Sequence, residues 1–338
     1  MIFSGKYGPL LIAEIGGNHE GDFSYANDLL DLAIESKADF VKFQIYFPDT
    51  LVNKFENLDR YNHFKKFTFT PEQHIELAKK CKNAGKDYLA SVWDIDALNW
   101  IDEYSSMYKI GSGDLTAYPI IEKIAEIGKP IILSTGLSTF DEIFQTVKFI
   151  RQKNSIYDNK NMLAVLQCTS MYPISESETN LNVLKLFKNE LNVNVGYSDH
   201  TEDIEALYLA TVTGAEVLEF HFTDSKEGKT FRDHKVSLTN TDIDQLVSKI
   251  QRSKNILGNI VKQPTESEIE NNHHVSFRRA IYPNRDILKG EKITKDDLIA
   301  LRPKKGIDAR CTEKIIGKKA KINIKKLSRI NFDMFELR

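Results

Sequence analysis

Two lysines stand inside runs that are otherwise apolar: Lys42 in FVKFQ and Lys109 in MYKIG. An unpaired buried charge costs several kcal/mol or more, so each needs an outlet. One outlet is a side chain that snorkels to solvent or pairs with a carboxylate. The other is a bound anion carrying a phosphate and a carboxylate. Ser112, Ser134, Ser170 and Ser198 follow similar runs and would add hydroxyl donors to such a site. Gly111, Gly113 and Gly136 would let backbone N–H groups come close to it. His200 and His221 lie at the ends of two consecutive runs, VNVGYS and VLEFHF. Adjacent strands are about 4.8 Å apart, so two imidazoles there can share an ion. A hydrogen-bonded pair, or one catalytic and one structural histidine, would also fit. Two imidazoles with oxygen ligands and open positions would suit Mn²⁺ or Mg²⁺. The other histidines carry less signal. His74, in a helical run, reads as a surface residue, and His273 and His274 fall in a polar stretch.

These residues need a frame that gathers them. Eight short, β-branched runs recur between helical patterns: 10–14, 40–44, 88–92, 107–111, 131–135, 163–168, 193–198 and 217–222. Strand–helix alternation also suits a doubly wound sheet, but a count of eight favours a (β/α)₈ TIM barrel. The active site of such a barrel lies at the C-terminal ends of its strands. Glu14 ends the first run, and Lys42 and Gln44 the second. Lys109, Ser112 and Asp114 belong to the fourth, Ser134 to the fifth, Ser170 to the sixth. Ser198 and His200 end the seventh, and Glu219 and His221 lie in the eighth. Nearly every strand thus delivers an ionisable or hydroxyl group to one rim.

The chain of 338 residues suits one large barrel (1–260), a polar linker (261–277) and a compact C-terminal module (278–338). A module that small has a marginal core and is expected to lean on another surface. A net charge of −2 gives no reason to expect nucleic acid or an acidic membrane as partner. No apolar run is long enough to span a bilayer, and the first residues lack a secretory pattern. Cys81, Cys168 and Cys311 are odd in number and far apart, which argues against a disulfide framework. A cytoplasmic setting is the expectation.

Several longer motifs bear on the chemistry. They are AEIGGNHEGD (13–22), YKIGSGDLTAYPII (108–121), GKPIILSTGLS (128–138), LQCTSMYP (166–173), VGYSDHT (195–201), LEFHFTD (218–224) and LRPKKGI (301–307). In this order the chain resembles the sialic acid synthases, which make N-acetylneuraminic, legionaminic and pseudaminic acids. The resemblance implies a barrel followed by an antifreeze-like (SAF) domain in a domain-swapped homodimer. It implies condensation of phosphoenolpyruvate with an amino-sugar aldehyde, with release of phosphate. It makes His200 and His221 the metal ligands and gives phosphoenolpyruvate to Lys42, Lys109, Ser112, Ser134 and Ser198. Glu14, Gln44, Asp114, Tyr172 and Asp233 would face the sugar or the metal-bound water. Arg302 would reach the partner subunit's barrel and meet the sugar's acyl group. The chain departs from the family pattern at Asp114 (usually Glu), Ser170 (Asn in some members), SVWD (91–94), Phe220 (a basic residue) and FRDH (231–234). These departures are expected to cluster around the acceptor sugar, leaving the donor side nearly intact.

Overall fold

The computed structural model describes residues 2–336. Eight strands run parallel in sequence order: β1 (Leu10–Glu14), β2 (Phe40–Ile45), β3 (Asp87–Val92), β4 (Tyr108–Ile110), β5 (Ile131–Ser134), β6 (Leu163–Cys168), β7 (Asn194–Asp199) and β8 (Val217–Phe222). Each pairs with the next, and β8 pairs back to β1, so the sheet closes into a barrel. β4 is shorter than the run at 107–111 suggests. Gly111 turns out of the strand and precedes a single 3₁₀ turn over Ser112–Asp114.

The helices between strands are α1 (Phe23–Glu35), α2 (Pro48–Leu51), α3 (Leu58–Phe67), α4 (Pro71–Asn83), α5 (Ile95–Ile101), α6 (Tyr118–Ile127), α7 (Phe140–Lys153), α8 (Val183–Glu190) and α9 (Glu205–Thr213). After β8 come α10 (Arg232–Lys235), a two-residue strand β9 (Ser237–Leu238) and α11 (Asn240–Leu257). The longer helices start where a side chain can serve their free N–H groups. Thr70 with Gln73, Thr139 with Glu142 and Thr239 with Asp242 form reciprocal capping boxes, each cap being worth about 1 kcal/mol. β9 pairs in parallel with the end of β8, His221 opposite Ser237. That pairing holds the segment carrying Phe231, Arg232 and Asp233 at the C-terminal end of the barrel.

Side chains alternate between the two faces of a strand, and this alternation sorts the barrel into layers. Leu10 and Ile12 in β1, Phe40 in β2, Leu89 in β3, Ile132 in β5, Ala164 and Leu166 in β6 and Val217 in β8 share one apolar cluster inside the barrel, joined by Met107. Continuing two residues at a time towards the C-terminal end, the same face presents Glu14, Lys42, Ser91, Lys109, Ser134, Cys168, Ser198, Glu219 and His221. All are buried. Gly196 lets β7 close this interior, because a Cβ there would lie 2.4 Å from both Leu166 Cδ2 and the Val217 carbonyl oxygen. The opposite face of each strand packs on the helices in the main core, which includes Leu11, Ala13, Val41, Phe43, Leu133 and Val165.

The chain divides into two compact units, Met1–Gly258 and Asn259–Arg338. The second holds two short helices, α12 (Glu266–Glu270) and α13 (His273–Ser276), within the stretch read above as a linker. It also holds an antiparallel pair, β10 (Ala280–Pro283) and β11 (Leu298–Leu301). Ile281, Ile287, Ile293, Ile307, Ile315, Ile324, Ile330 and Phe335 form its core. Among the described residues, no helix is long and apolar enough to cross a membrane.

Candidate active site

The polar top layer of the barrel forms the floor of a cavity of about 1210 Å³. Its centre is an ionic quartet. Lys42 pairs with the Glu14 carboxylate, lies 3.7 Å from Glu219 Oε1 and donates to Ser91 Oγ at 3.2 Å. Lys109 lies 3.3 Å from the same Glu219 oxygen. Gln44 donates to Glu14 Oε1 at 2.8 Å, and Ser198 to Glu219 Oε1 at 3.2 Å. Burial disfavours the Glu219 charge, but Lys109 and Lys42 outweigh it and hold that carboxyl low. Burial raises the Glu14 carboxyl despite Lys42, so of the two it takes up a proton more readily. Environments that push two carboxyls apart set up acid–base roles. Burial also lowers the Lys109 ammonium.

Hydroxyl groups ring one side of the quartet. The Gly136 N–H donates to Ser112 Oγ at 3.0 Å. A Cβ on Gly136 would lie 2.3 Å from Ser170 Oγ and 2.9 Å from Ser112 Oγ, so glycine is what lets the two serines converge. Ser134 Oγ and Glu219 Oε2 are buried with no hydrogen-bond partner. Gly136→Ala is therefore expected to push Ser112 and Ser170 apart and to weaken binding of phosphoenolpyruvate, the donor that the sequence resemblance implies, about tenfold or more, with the melting transition little changed. A donor titration of the variant checks this, and wild-type affinity would show that the serine pair is not part of the donor site.

The two histidines meet as the barrel register requires, with ring centroids 5.4 Å apart. His200 Nδ1–H donates to the Thr169 carbonyl at 2.7 Å, which leaves the Nε2 lone pair free. Burial and the neighbouring His200 keep the His221 imidazole neutral, and its Nδ1 is buried without a hydrogen-bond partner, 4.0 Å from Asp233 Oδ2. Two buried imidazoles, one oriented by a carbonyl and one with an unused nitrogen, suit a divalent ion. Among the described residues, no group of three or more His, Cys, Asp or Glu side chains is arranged to hold a metal. The further ligands would then be oxygens of water or substrate.

The mouth of the cavity is aromatic. Tyr172 lies against His200, ring centroids 4.0 Å apart and tilted by 37°, and the Arg232 guanidinium sits 4.8 Å from the Tyr172 ring centroid while bonding Asp233 through Nε at 3.1 Å. Trp93 stacks on Tyr46 at 5.1 Å and meets Phe64 of α3 edge-on at 6.1 Å. Burial raises the Asp114 carboxyl to about 6, against the pull of Lys109. Glu14, Lys42, Gln44, Lys109, Ser112, Asp114, Ser134, Ser170, Tyr172, Ser198, His200, His221 and Asp233 all line this one cavity. Arg302 belongs to the second unit, where its guanidinium lies 5.5 Å over the Phe277 ring.

Two expectations need correction. His74 is buried, not on the surface. It packs against Phe69 and Trp100, with Tyr88 Oη 3.4 Å from its Nδ1. Phe220 does not line the cavity. It points outward from β8 into the core between barrel and helices, where a basic side chain would have no exit. Asp114, Ser170, Trp93, Phe231 and Arg232 do line the cavity. Glu219 is the central residue that the sequence reading placed on the rim without giving it a role. Its position two residues before His221 on the same strand face was the available signal.

Closed barrel, charged floor and polar rim define a (β/α)₈-barrel enzyme. A family model described as the NeuB family matches residues 29–262, and a SAF domain model matches 278–336. The chain belongs to the NeuB family. It is 33% identical over 332 residues to the N,N'-diacetyllegionaminic acid synthase of Campylobacter jejuni, covering 94% of this chain and 97% of that one. It is 30% identical over 344 residues to the pseudaminic acid synthase of Helicobacter pylori, covering 97% and 98%. The crystal structure of a sialic acid synthetase from Leptospira borgpetersenii, in complex with citrate, matches with a TM-score of 0.71 at 30% identity, over 78% of this chain and 90% of that one.

Proposed function

We propose that the chain is a sialic-acid-type nonulosonate synthase. It joins phosphoenolpyruvate to the open-chain aldehyde of an N-acylated amino sugar, giving a nine-carbon 2-keto acid and phosphate. The observation that carries this reading is the floor, where Lys42 and Lys109 sit beside a hydroxyl ring of Ser112, Ser134, Ser170 and Ser198. Such a floor suits a small molecule bearing both a carboxylate and a phosphate. The relatives' names supply the acceptor class.

The donor's C3 bonds to the aldehyde carbon, and the aldehyde oxygen takes up a proton. Water adds to the donor's C2. Glu14, whose carboxyl burial pushes up, receives the proton that the water gives up and passes it to the new alkoxide. The C2–O bond to phosphate then breaks with its electron pair going to the phosphate. The hydroxyl proton at C2 follows, leaving the ketone. Lys42 and Lys109 hold and orient the donor through this sequence. When bound at His200 and His221, Mn²⁺ or Mg²⁺ supplies Lewis-acid polarisation of a carbonyl oxygen.

The test is phosphate release from phosphoenolpyruvate in Mn²⁺ with a panel of N-acylated hexosamines. A 2,4-diacetamido hexose is expected to give a higher kcat/KM than N-acetylmannosamine. Asp114 reaches about 1.5 Å less far than a glutamate would, and Trp93, Phe231 and Arg232 reshape the same cavity. Preference for N-acetylmannosamine, undiminished in Asp114→Glu, would sever this substitution from acceptor choice. Absence of phosphate release with every sugar would overturn the reading itself.

A further inference from the structure

Trp93 presents an unusual combination. Its indole nitrogen is buried and has no hydrogen-bond partner, and the residue lines the active-site cavity. The ring is fixed on two sides, stacked on Tyr46 at an interplanar angle of 18° and met edge-on by Phe64 at 87°. Beneath the nitrogen lies Gly111, whose notional Cβ would be 3.5 Å away. Next to Gly111 stand Ser112 and Asp114, both also on the cavity wall. An indole N–H can only donate. Buried side chains that cannot find a partner are rare, and Trp is normally tolerated inside only where its N–H reaches one.

From this arrangement we infer that Trp93 is a specificity-determining residue: its Nε1–H takes the carbonyl oxygen of an acylamido group on the acceptor sugar. The donor-only character of the indole chooses between ligand groups. A hydroxyl both accepts and donates, and its own O–H would still need a partner. The carbonyl oxygen of an acetamido group only accepts and is the stronger acceptor. A site built around such a donor discriminates strongly against an analogue without the acceptor atom, because the donor is then stranded. The inference rests on the acceptor class proposed above and assigns the residue that reads it.

The experiment has a kinetic arm and a spectroscopic arm. Trp93→Phe keeps a ring and removes only the donor and the second ring. Its kcat/KM is expected to fall about 10- to 100-fold for the best N-acetylated sugar of the panel, with the donor KM unchanged. With mannose, which has no acyl oxygen, variant and wild type should be equally poor. In ¹⁵N-labelled protein the Trp93 indole N–H, assigned with Trp100→Phe, should shift when the N-acetylated sugar is added and stay in place when mannose is added. This arm uses a chain that retains Trp93, so it stands even if Trp93→Phe folds badly. Wild-type turnover with an unmoved indole resonance, or equal losses for acetylated and non-acetylated sugars, overturns the inference alone. A wild-type chain that turns over none of the sugars overturns the functional reading, and this inference with it.

Discussion

Exhaustive chelation is expected to take turnover to background, and Mn²⁺ to restore it. The expectation comes from the imidazole pair. Thr169 fixes His200 so that its free nitrogen can ligate, and His221 is held neutral with an unused nitrogen. The two would be ligands in an incomplete shell, which a substrate oxygen can enter. Metal-assisted polarisation lowers the barrier by several kcal/mol, so its removal should take the rate to background. A direct count of bound ion separates binding from catalysis. His221→Ala should bind markedly less Mn²⁺ by equilibrium dialysis, and undiminished binding would move the metal elsewhere. Full turnover after chelation, with metal content confirmed as nil, would remove the ion from the mechanism.

The second large effect is expected at Lys109. Lys109→Ala should weaken phosphoenolpyruvate binding about 100-fold and leave sugar binding nearly unchanged. A charge-assisted hydrogen bond is worth about 1.5–3 kcal/mol, and the change does more than delete one. Glu219 keeps Lys42 at 3.7 Å as its remaining cation, so a carboxylate with less compensation now faces the incoming anion. Lys109→Met, which fills the space without the charge, should behave similarly and guards against a cavity effect. Calorimetry on both variants checks the expectation. Unchanged donor affinity would show that the donor sits away from the floor.

Much of this site could be read in the sequence because a β-strand alternates with period two. LLIAE and FVKFQ carry apolar residues followed on the same face by Glu14 and by Lys42 and Gln44, and the barrel turns that alternation into depth. Position along a strand therefore foretold position in the cavity. What could not be read lies in segments without a period. The insert from 46 to 70, with α3, brings Tyr46 and Phe64 to the cavity wall through tertiary packing alone. His74 was legible by contrast: it shares one face of α4 with Leu77, Ala78 and Cys81, all buried, so the helical period itself turns it inward against Phe69 and Trp100. Phe220 shows the converse failure. The motif around it points to the acceptor, although alternation from His221 puts it on the other face of β8.

The ionic quartet has a kinetic consequence. Lys42, Lys109, Glu14 and Glu219 balance one another, two positive against two negative. An arriving donor therefore does not meet two bare ammonium groups. It has to take them from carboxylates that already hold them, and part of the attraction is spent on that exchange. The same exchange runs backwards once the C–O bond is broken. On the proposed reaction, Glu14 and Glu219 would reclaim their lysines as phosphate departs, so the floor would resist being poisoned by its own product. A site with the lysines alone would grip the donor harder and turn over more slowly, because tight binding of ground state and product adds nothing to the rate of the step between them.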